Sequence, residues 1–215
     1  MKILYWLGWT LTRVLGTVLF RVRVRGRENI PKSGGFIMAS NHISWYDPPL
    51  VGSFQRRELY FFAKRELFQN RLFGAIIEAT NALPVARGKV DRKSLHMSLN
   101  VVKQGFGLTF FPEGTRAPKG RFLPARAGLG LLAAKAKVPI VPVYIHGSND
   151  LKACFWGRDR MSITYGEPLS VEWQQQFAAG KEGYQALADG VMARIAGMKE
   201  HLLAGPEERK QIADQ

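Results

Sequence analysis

The chain has 215 residues but only one cysteine, Cys154, four histidines, and 17 acidic residues against 31 Lys and Arg. A single thiol excludes an internal disulfide and a thiolate metal cluster. No recognisable nucleophile motif surrounds Cys154, so a packed side chain is expected there. The histidines lack H-x-x-x-H spacing, so no metal is expected. No bound cofactor is expected either. Low-complexity stretches and internal repeats are absent. Hydrophobic residues at 46% and aromatics at 11% supply a core and exclude wholesale disorder. This length accommodates one domain, or one domain with an appendage.

The shortage of acid is uneven. Residues 1–137 hold 23 Lys and Arg against 7 Asp and Glu, whereas residues 138–215 hold 8 against 10. A positive field of this kind attracts nucleic acid, anionic lipid headgroups or phosphorylated substrates, and charge alone does not choose among them.

A clean transmembrane run is also missing. Met1–Phe20, MKILYWLGWTLTRVLGTVLF, would reach about 30 Å as a helix, enough to span a bilayer core. Arg13 interrupts it, however, and Gly8 and Gly16 weaken it. Ile3, Leu4, Leu7, Leu11, Val14, Leu15 and Val18 make one apolar stripe, with Tyr5, Trp6 and Trp9 suited to a membrane interface. The pattern predicts an interfacial or partly inserted helix in preference to a full span. A signal peptide fits less well, because no small-residue cleavage site precedes Arg21-Val22-Arg23-Val24-Arg25-Gly26-Arg27. That alternating run reads either as a solvated edge strand or as a collar contacting headgroups.

From there, strand-like apolar runs alternate with helical patterns. Strands are predicted at Gly35–Ser40, Leu59–Ala63, Ala82–Ala86, Gly107–Phe111, Val138–Ile145 and Met161–Tyr165. Helices are predicted at about 45–55, Glu66–Ala79, around Leu95 to Val102, Ala127–Ala136 and 182–203. The expected fold is α/β, a largely parallel or mixed central sheet flanked by helices, with chemistry gathered at the carboxyl ends of strands. The expected organisation is an N-terminal membrane-associated helix over 1–20, a domain over 21–204 and a polar tail over 205–215.

Two motifs carry the chemistry. In Asn41-His42-Ile43-Ser44-Trp45-Tyr46-Asp47 an imidazole precedes a carboxylate by five positions at a strand-to-helix turn. Histidine accepts a proton near neutral pH, and a carboxylate fixes its tautomer and stabilises the imidazolium. Equally, Ser44-x-x-Asp47 before Pro48-Pro49 reads as a capping box opening a helix, and His42 as a satisfied core histidine. In Phe111-Pro112-Glu113-Gly114-Thr115-Arg116, Gly114 permits a tight turn, Arg116 suits a phosphate, and Glu113 suits a polyol hydroxyl. The bland alternative is a solvated turn with an ion pair. His146 ends a strand beside Gly147 and is a further candidate to line the cleft; His96 and His201 read as surface or structural residues.

The two motifs, in this order and roughly 70 residues apart, closely resemble the glycerolipid acyltransferase family, and within it the bacterial 1-acylglycerol-3-phosphate acyltransferases. The resemblance runs from about Val24 to Gly147. It also takes in Phe62-Ala63-Lys64-Arg65-Glu66-Leu67-Phe68, Leu83-Pro84-Val85-Ala86-Arg87-Gly88 and Val138-Pro139-Ile140-Val141-Pro142-Val143. It implies that His42 is the general base that deprotonates the acceptor hydroxyl, that Asp47 orients it, and that Lys64, Arg87, Glu113, Gly114, Thr115 and Arg116 hold the glycerol phosphate. It further implies an acyl-CoA or acyl carrier protein thioester as co-substrate, with neither a covalent acyl-enzyme nor a metal. Where relatives commonly place lysine before a glycine, this chain has Arg126 and Gly128, which keep the charge. Its N-terminal apolar segment is single, where some relatives carry a longer helical hairpin.

The resulting expectation is an O-acyltransferase of phospholipid biosynthesis on the cytoplasmic face of the cell membrane. It would convert 1-acylglycerol 3-phosphate to phosphatidate, with the membrane phospholipid surface and lysophosphatidate as partners. The rivals are an acyltransferase for another lysolipid, such as a lyso-amino-lipid, and a non-enzymatic basic membrane- or nucleic-acid-binding protein. No nucleic-acid-binding motif supports the last.

Overall fold

A computed structural model describes residues 2–85, 92–118 and 121–203. In chain order the elements are α1 (Lys2–Val18), β1 (Arg23–Arg25), β2 (Phe36–Ser40), α2 (Asp47–Ser53), β3 (Leu59–Lys64), α3 (Arg71–Ala79), β4 (Ala82–Val85) and α4 (Arg92–Lys103). There follow β5 (Gly107–Phe110), α5 (Gly128–Ala136), β6 (Ile140–His146), α6 (Leu151–Phe155), β7 (Ser162–Tyr165), α7 (Val171–Gln175) and α8 (Lys181–Leu203).

The strands form one sheet in the order β1-β7-β6-β2-β5-β3-β4. The five strands from β6 to β4 run parallel. β7 is antiparallel to β6, and β1 pairs parallel with β7 at the edge. The α/β expectation is met. Every residue of β2, Phe-Ile-Met-Ala-Ser, is buried, as a central parallel strand covered on both faces requires. On one face Ile37, Leu108, Leu129, Ala133, Leu187, Val191 and Ile195 join the sheet to α4, α5 and α8. Small residues of α5 let α8 come close. A Cβ on Gly130 would lie 2.0 Å from the Tyr184 carbonyl oxygen, so only glycine fits there. On the other face Phe36, Met38, Val51, Phe54, Leu59, Ile163 and Tyr165 form a second core layer beneath α1 and α2.

α1 lies against this second layer. Tyr5 is buried, and its hydroxyl accepts a hydrogen bond from the Leu59 N–H at 2.9 Å. A Cβ on Gly16 would collide with the Phe54 ring at 2.7 Å. The opposite stripe, including Ile3, Leu7, Leu11, Val14 and Val18, is exposed. Among the described residues no helix is long and apolar enough to cross a membrane.

Two local departures from the predicted pattern have plain causes. The segment Glu66–Ala79 is not one helix. A 3₁₀ turn over Arg65–Phe68 stops, and α3 restarts after Asn70, whose side chain accepts from the Phe73 N–H. The short helices α6 and α7 were not anticipated; each is set by a cap, Asp150 and Ser170 respectively. The tail from residue 205 lies outside the described residues.

Candidate active site

β2, β5 and β3 are neighbours and parallel, so the segments leaving their carboxyl ends emerge side by side. After β2 comes Asn41. Its side chain donates to the Ile145 carbonyl at 3.0 Å and accepts from the Ile145 N–H at 2.7 Å, fixing the chain against the end of β6. The next residue is His42. Its Nδ1 lies 2.8 Å from Asp47 Oδ2, with the His42 side chain 14% exposed and Asp47 fully buried. A carboxylate only accepts, so Nδ1 carries the proton and the basic lone pair is left on Nε2.

Asp47 serves the turn ahead of α2 and the imidazole at once. Oδ2 also accepts from the N–H groups of Ile43 and Ser44, both at 2.7 Å, while Oδ1 accepts from Ser148 Oγ at 2.5 Å. No side chain caps α2, whose cap position is Tyr46, so the carboxylate of Asp47 holds the turn ahead of the helix and the imidazole together.

After β5, the Phe111–Arg116 turn packs onto the same loop. The His42 N–H donates to Glu113 Oε1 at 3.0 Å, and the Leu123 N–H donates to Oε2 at 2.8 Å. The Ala117 N–H donates to the His42 carbonyl at 2.7 Å, and the Phe111 ring stacks on the His42 ring at 4.1 Å. Burial pushes the Glu113 carboxyl above its ordinary value, against the opposing pull of its two backbone hydrogen bonds. Gly114 has φ +69°, and a Cβ there would meet Arg126 Nε at 2.9 Å, so this turn accepts glycine on two counts. The Arg116 guanidinium sits 3.9 Å over the Trp45 ring. This pair leaves a partly exposed cation at the rim beside His42.

Of the sequence-predicted residues, His42, Asp47, Glu113, Gly114, Thr115 and Arg116 come together in the two facing loops. Glu113 directs its carboxylate at backbone N–H groups. Lys64 ends β3, two strand spacings from β2, roughly 10 Å away. Arg87 lies outside the described residues. His146 ends β6 with Nε2 3.0 Å from Asp159 Oδ1. Trp45, Phe111 and Ser148 were not singled out by chemistry. Ser148 had no available signal, because its partner is 101 residues away in sequence.

Comparison with known proteins agrees in fold and sequence. The acyltransferase family profile matches residues 21–146. The chain is 30% identical over 184 residues to a 1-acyl-sn-glycerol-3-phosphate acyltransferase of Bacillus subtilis, covering 84% of this chain and 89% of that one. It is 31% identical over 169 residues to a lyso-ornithine lipid O-acyltransferase of Pseudomonas aeruginosa, covering 76% and 64%. The crystal structure of the 1-acyl-sn-glycerophosphate acyltransferase PlsC from Thermotoga maritima matches with a TM-score of 0.69 at 28% identity, over 89% of this chain and 78% of that one.

Proposed function

The chain belongs to the acyltransferase family, and we propose that it moves a fatty acyl group from a thioester to the free sn-2 hydroxyl of 1-acylglycerol 3-phosphate, giving phosphatidate. The observation that carries this reading is the His42–Asp47 pair at 2.8 Å, braced by Glu113 through the His42 backbone. In this reading His42 Nε2 takes the hydroxyl proton as the oxygen attacks the thioester carbonyl. Asp47 stabilises the imidazolium that forms. The tetrahedral oxyanion collapses, the C–S bond breaks, and the imidazolium proton accompanies the departing thiolate. CoA or an acyl carrier protein leaves as the free thiol. No step of this chemistry calls for a metal or a bound cofactor.

Arg116, Lys64 and Arg87 supply positive charge for the acceptor phosphate, with Gly114 and Thr115 shaping the loop that presents Arg116. Glu113 enters as a positioning residue, because its two oxygens accept the N–H groups of His42 and Leu123. The resemblance to a lyso-ornithine lipid acyltransferase favours one second reading, a different lysolipid acceptor at the same site.

Attachment to the cytoplasmic face of the membrane is assigned to α1. Deleting that helix would uncover Phe54 and Leu59, so the informative change is on its exposed stripe. Leu7→Ser with Leu11→Ser should move the folded protein toward the soluble fraction. High salt should release the wild type less readily than detergent does, because apolar burial is not screened. Complete release of the wild type by salt alone would remove the case for apolar insertion.

The function itself is tested by thiol release from acyl thioesters with a panel of lysolipids. Release dependent on lysophosphatidate is expected. Release that is as fast with a neutral or amino-lipid acceptor would transfer the assignment to the second reading.

A further inference from the structure

A cavity of about 330 Å³ opens at the end of the sheet where β6 finishes. Arg23, Arg25, Arg158 and Arg160 line it, together with His146 and Ser162. Register explains the grouping: His146, Ser162 and Arg23 lie side by side on β6, β7 and β1. β6 is parallel to β2 and leaves the sheet at the same end as His42. Hydrogen bonds tie this end of β6 to the loop of His42. Ile145 is held by Asn41, the neighbour of His42, and Ser148, two residues after His146, donates to Asp47. The cavity thus shares a rim with the proposed base, one to three strand spacings or roughly 5–14 Å along the sheet, on the flank opposite Lys64.

Two features mark it as built for an anion. Four arginines line it against one acidic lining residue, Asp159, whose Oδ1 lies 3.0 Å from His146 Nε2 and accepts from the Arg160 N–H at 2.7 Å. Independently, Ser162 lines the cavity, is only 7% exposed, and its Oγ has no hydrogen-bond partner among the described residues. A buried hydroxyl left without a partner is costly, and an anionic oxygen would satisfy it.

Resting on the acyl-transfer reading above, we propose that this cavity receives the phosphates of the donor, and that the donor is a CoA thioester. The acceptor phosphate is assigned to the β3–β5 flank. The donor needs a separate anion site, set back from the base within the reach of a pantetheine arm. The four arginines suit a diphosphate and a phosphomonoester together better than a single phosphodiester. Exposed Trp156, two residues before Arg158, offers a face on which an adenine can stack.

The test compares wild type with Arg158→Ala/Arg160→Ala and with Ser162→Ala, by two readouts. In steady-state kinetics the wild type should prefer acyl-CoA to S-acylpantetheine, which lacks the phosphates. In the double variant that ratio of kcat/KM should fall by about tenfold or more, the loss expected for charged hydrogen bonds. KM for lysophosphatidate should stay within about twofold. In titration calorimetry CoA itself should bind the wild type and bind the double variant at least about tenfold more weakly, with a smaller loss for Ser162→Ala. The calorimetry stands apart from turnover. CoA binding that requires Arg158 and Arg160 supports the site even if lysophosphatidate proves the wrong acceptor. An unchanged ratio and unchanged CoA affinity overturn it while leaving acyl transfer intact. A wild type that binds no CoA and accepts only acyl carrier protein overturns it too.

Discussion

Asp47, in the turn after β2, is fully buried and accepts four hydrogen bonds, one of them from an imidazole. Glu113, in the turn after β5, is 2% exposed and accepts two, both from backbone N–H groups. The first carboxylate has a partner whose charge changes during the proposed reaction. The second joins two loops and has no such partner. Burial weighs on it accordingly, pushing its carboxyl up. Of two buried acids on one rim, the one with more protein donors stands behind the proposed base, and the one with fewer accepts the backbone N–H of that residue.

The comparison breaks most sharply at His42. His42→Ala should lower kcat by about 10²–10⁴ while the protein stays folded, as loss of a general base does. Asp47→Asn should also impair turnover, because an amide does not stabilise the imidazolium. An Asp47→Asn variant that merely melts earlier, with kcat intact, would reduce Asp47 to a structural acceptor in the turn ahead of α2.

Arg116→Lys comes next. A lysine reproduces neither the planar fork nor the stack on Trp45. KM for lysophosphatidate should rise by the equivalent of about 1.5–3 kcal/mol, with KM for the thioester nearly unmoved. Equal losses for donor and acceptor would mean that the loop organises the fold.

Glu113→Gln should act on stability first. One backbone N–H would face an amide NH₂ in place of an oxygen, a loss of about 1–3 kcal/mol in chemical denaturation. The pH dependence sharpens the point. The folded-state pKa of Glu113 is raised, so the folded protein holds the proton over a range where the unfolded chain has released it. Its contribution therefore favours folding at low pH and fades as pH rises from the unfolded toward the folded value. The glutamine variant should lose that slope. If wild type and variant show parallel stability–pH curves, Glu113 is not carrying a buried charge.

The smallest effect is expected from Ser148→Ala. It removes one of four donors to Asp47 and should cost about 0.5–1.5 kcal/mol, with a modest drop in kcat.

Much of the fold was legible because its strands are apolar runs set between helical periodicities, and a parallel sheet shows itself that way. The pairing of β1 with β7 was not legible, since nothing local in Arg23–Arg25 specifies Ser162–Tyr165 as its neighbour. The site followed the same division. His42 and Asp47 sit five residues apart, so their meeting could be read along the chain. Ser148 and the unpartnered Ser162 become visible only once β6 and β7 lie beside β2. The backbone donors that Glu113 holds, at His42 and Leu123, lie 71 and 10 residues away, so its link between the two loops had no local signal.

The edge pairing has a consequence during synthesis. Residues 23–25 leave the ribosome directly behind the amphipathic helix, while their partners, 162–164, are made 139 residues later. At 5–20 residues per second that is a wait of about 7–28 s. Throughout it the arginine-rich edge strand is unpaired and the apolar stripe of α1 is already made. Under the membrane attachment proposed for α1, a bilayer with anionic headgroups would complement both and hold this segment until β7 arrives to close the sheet.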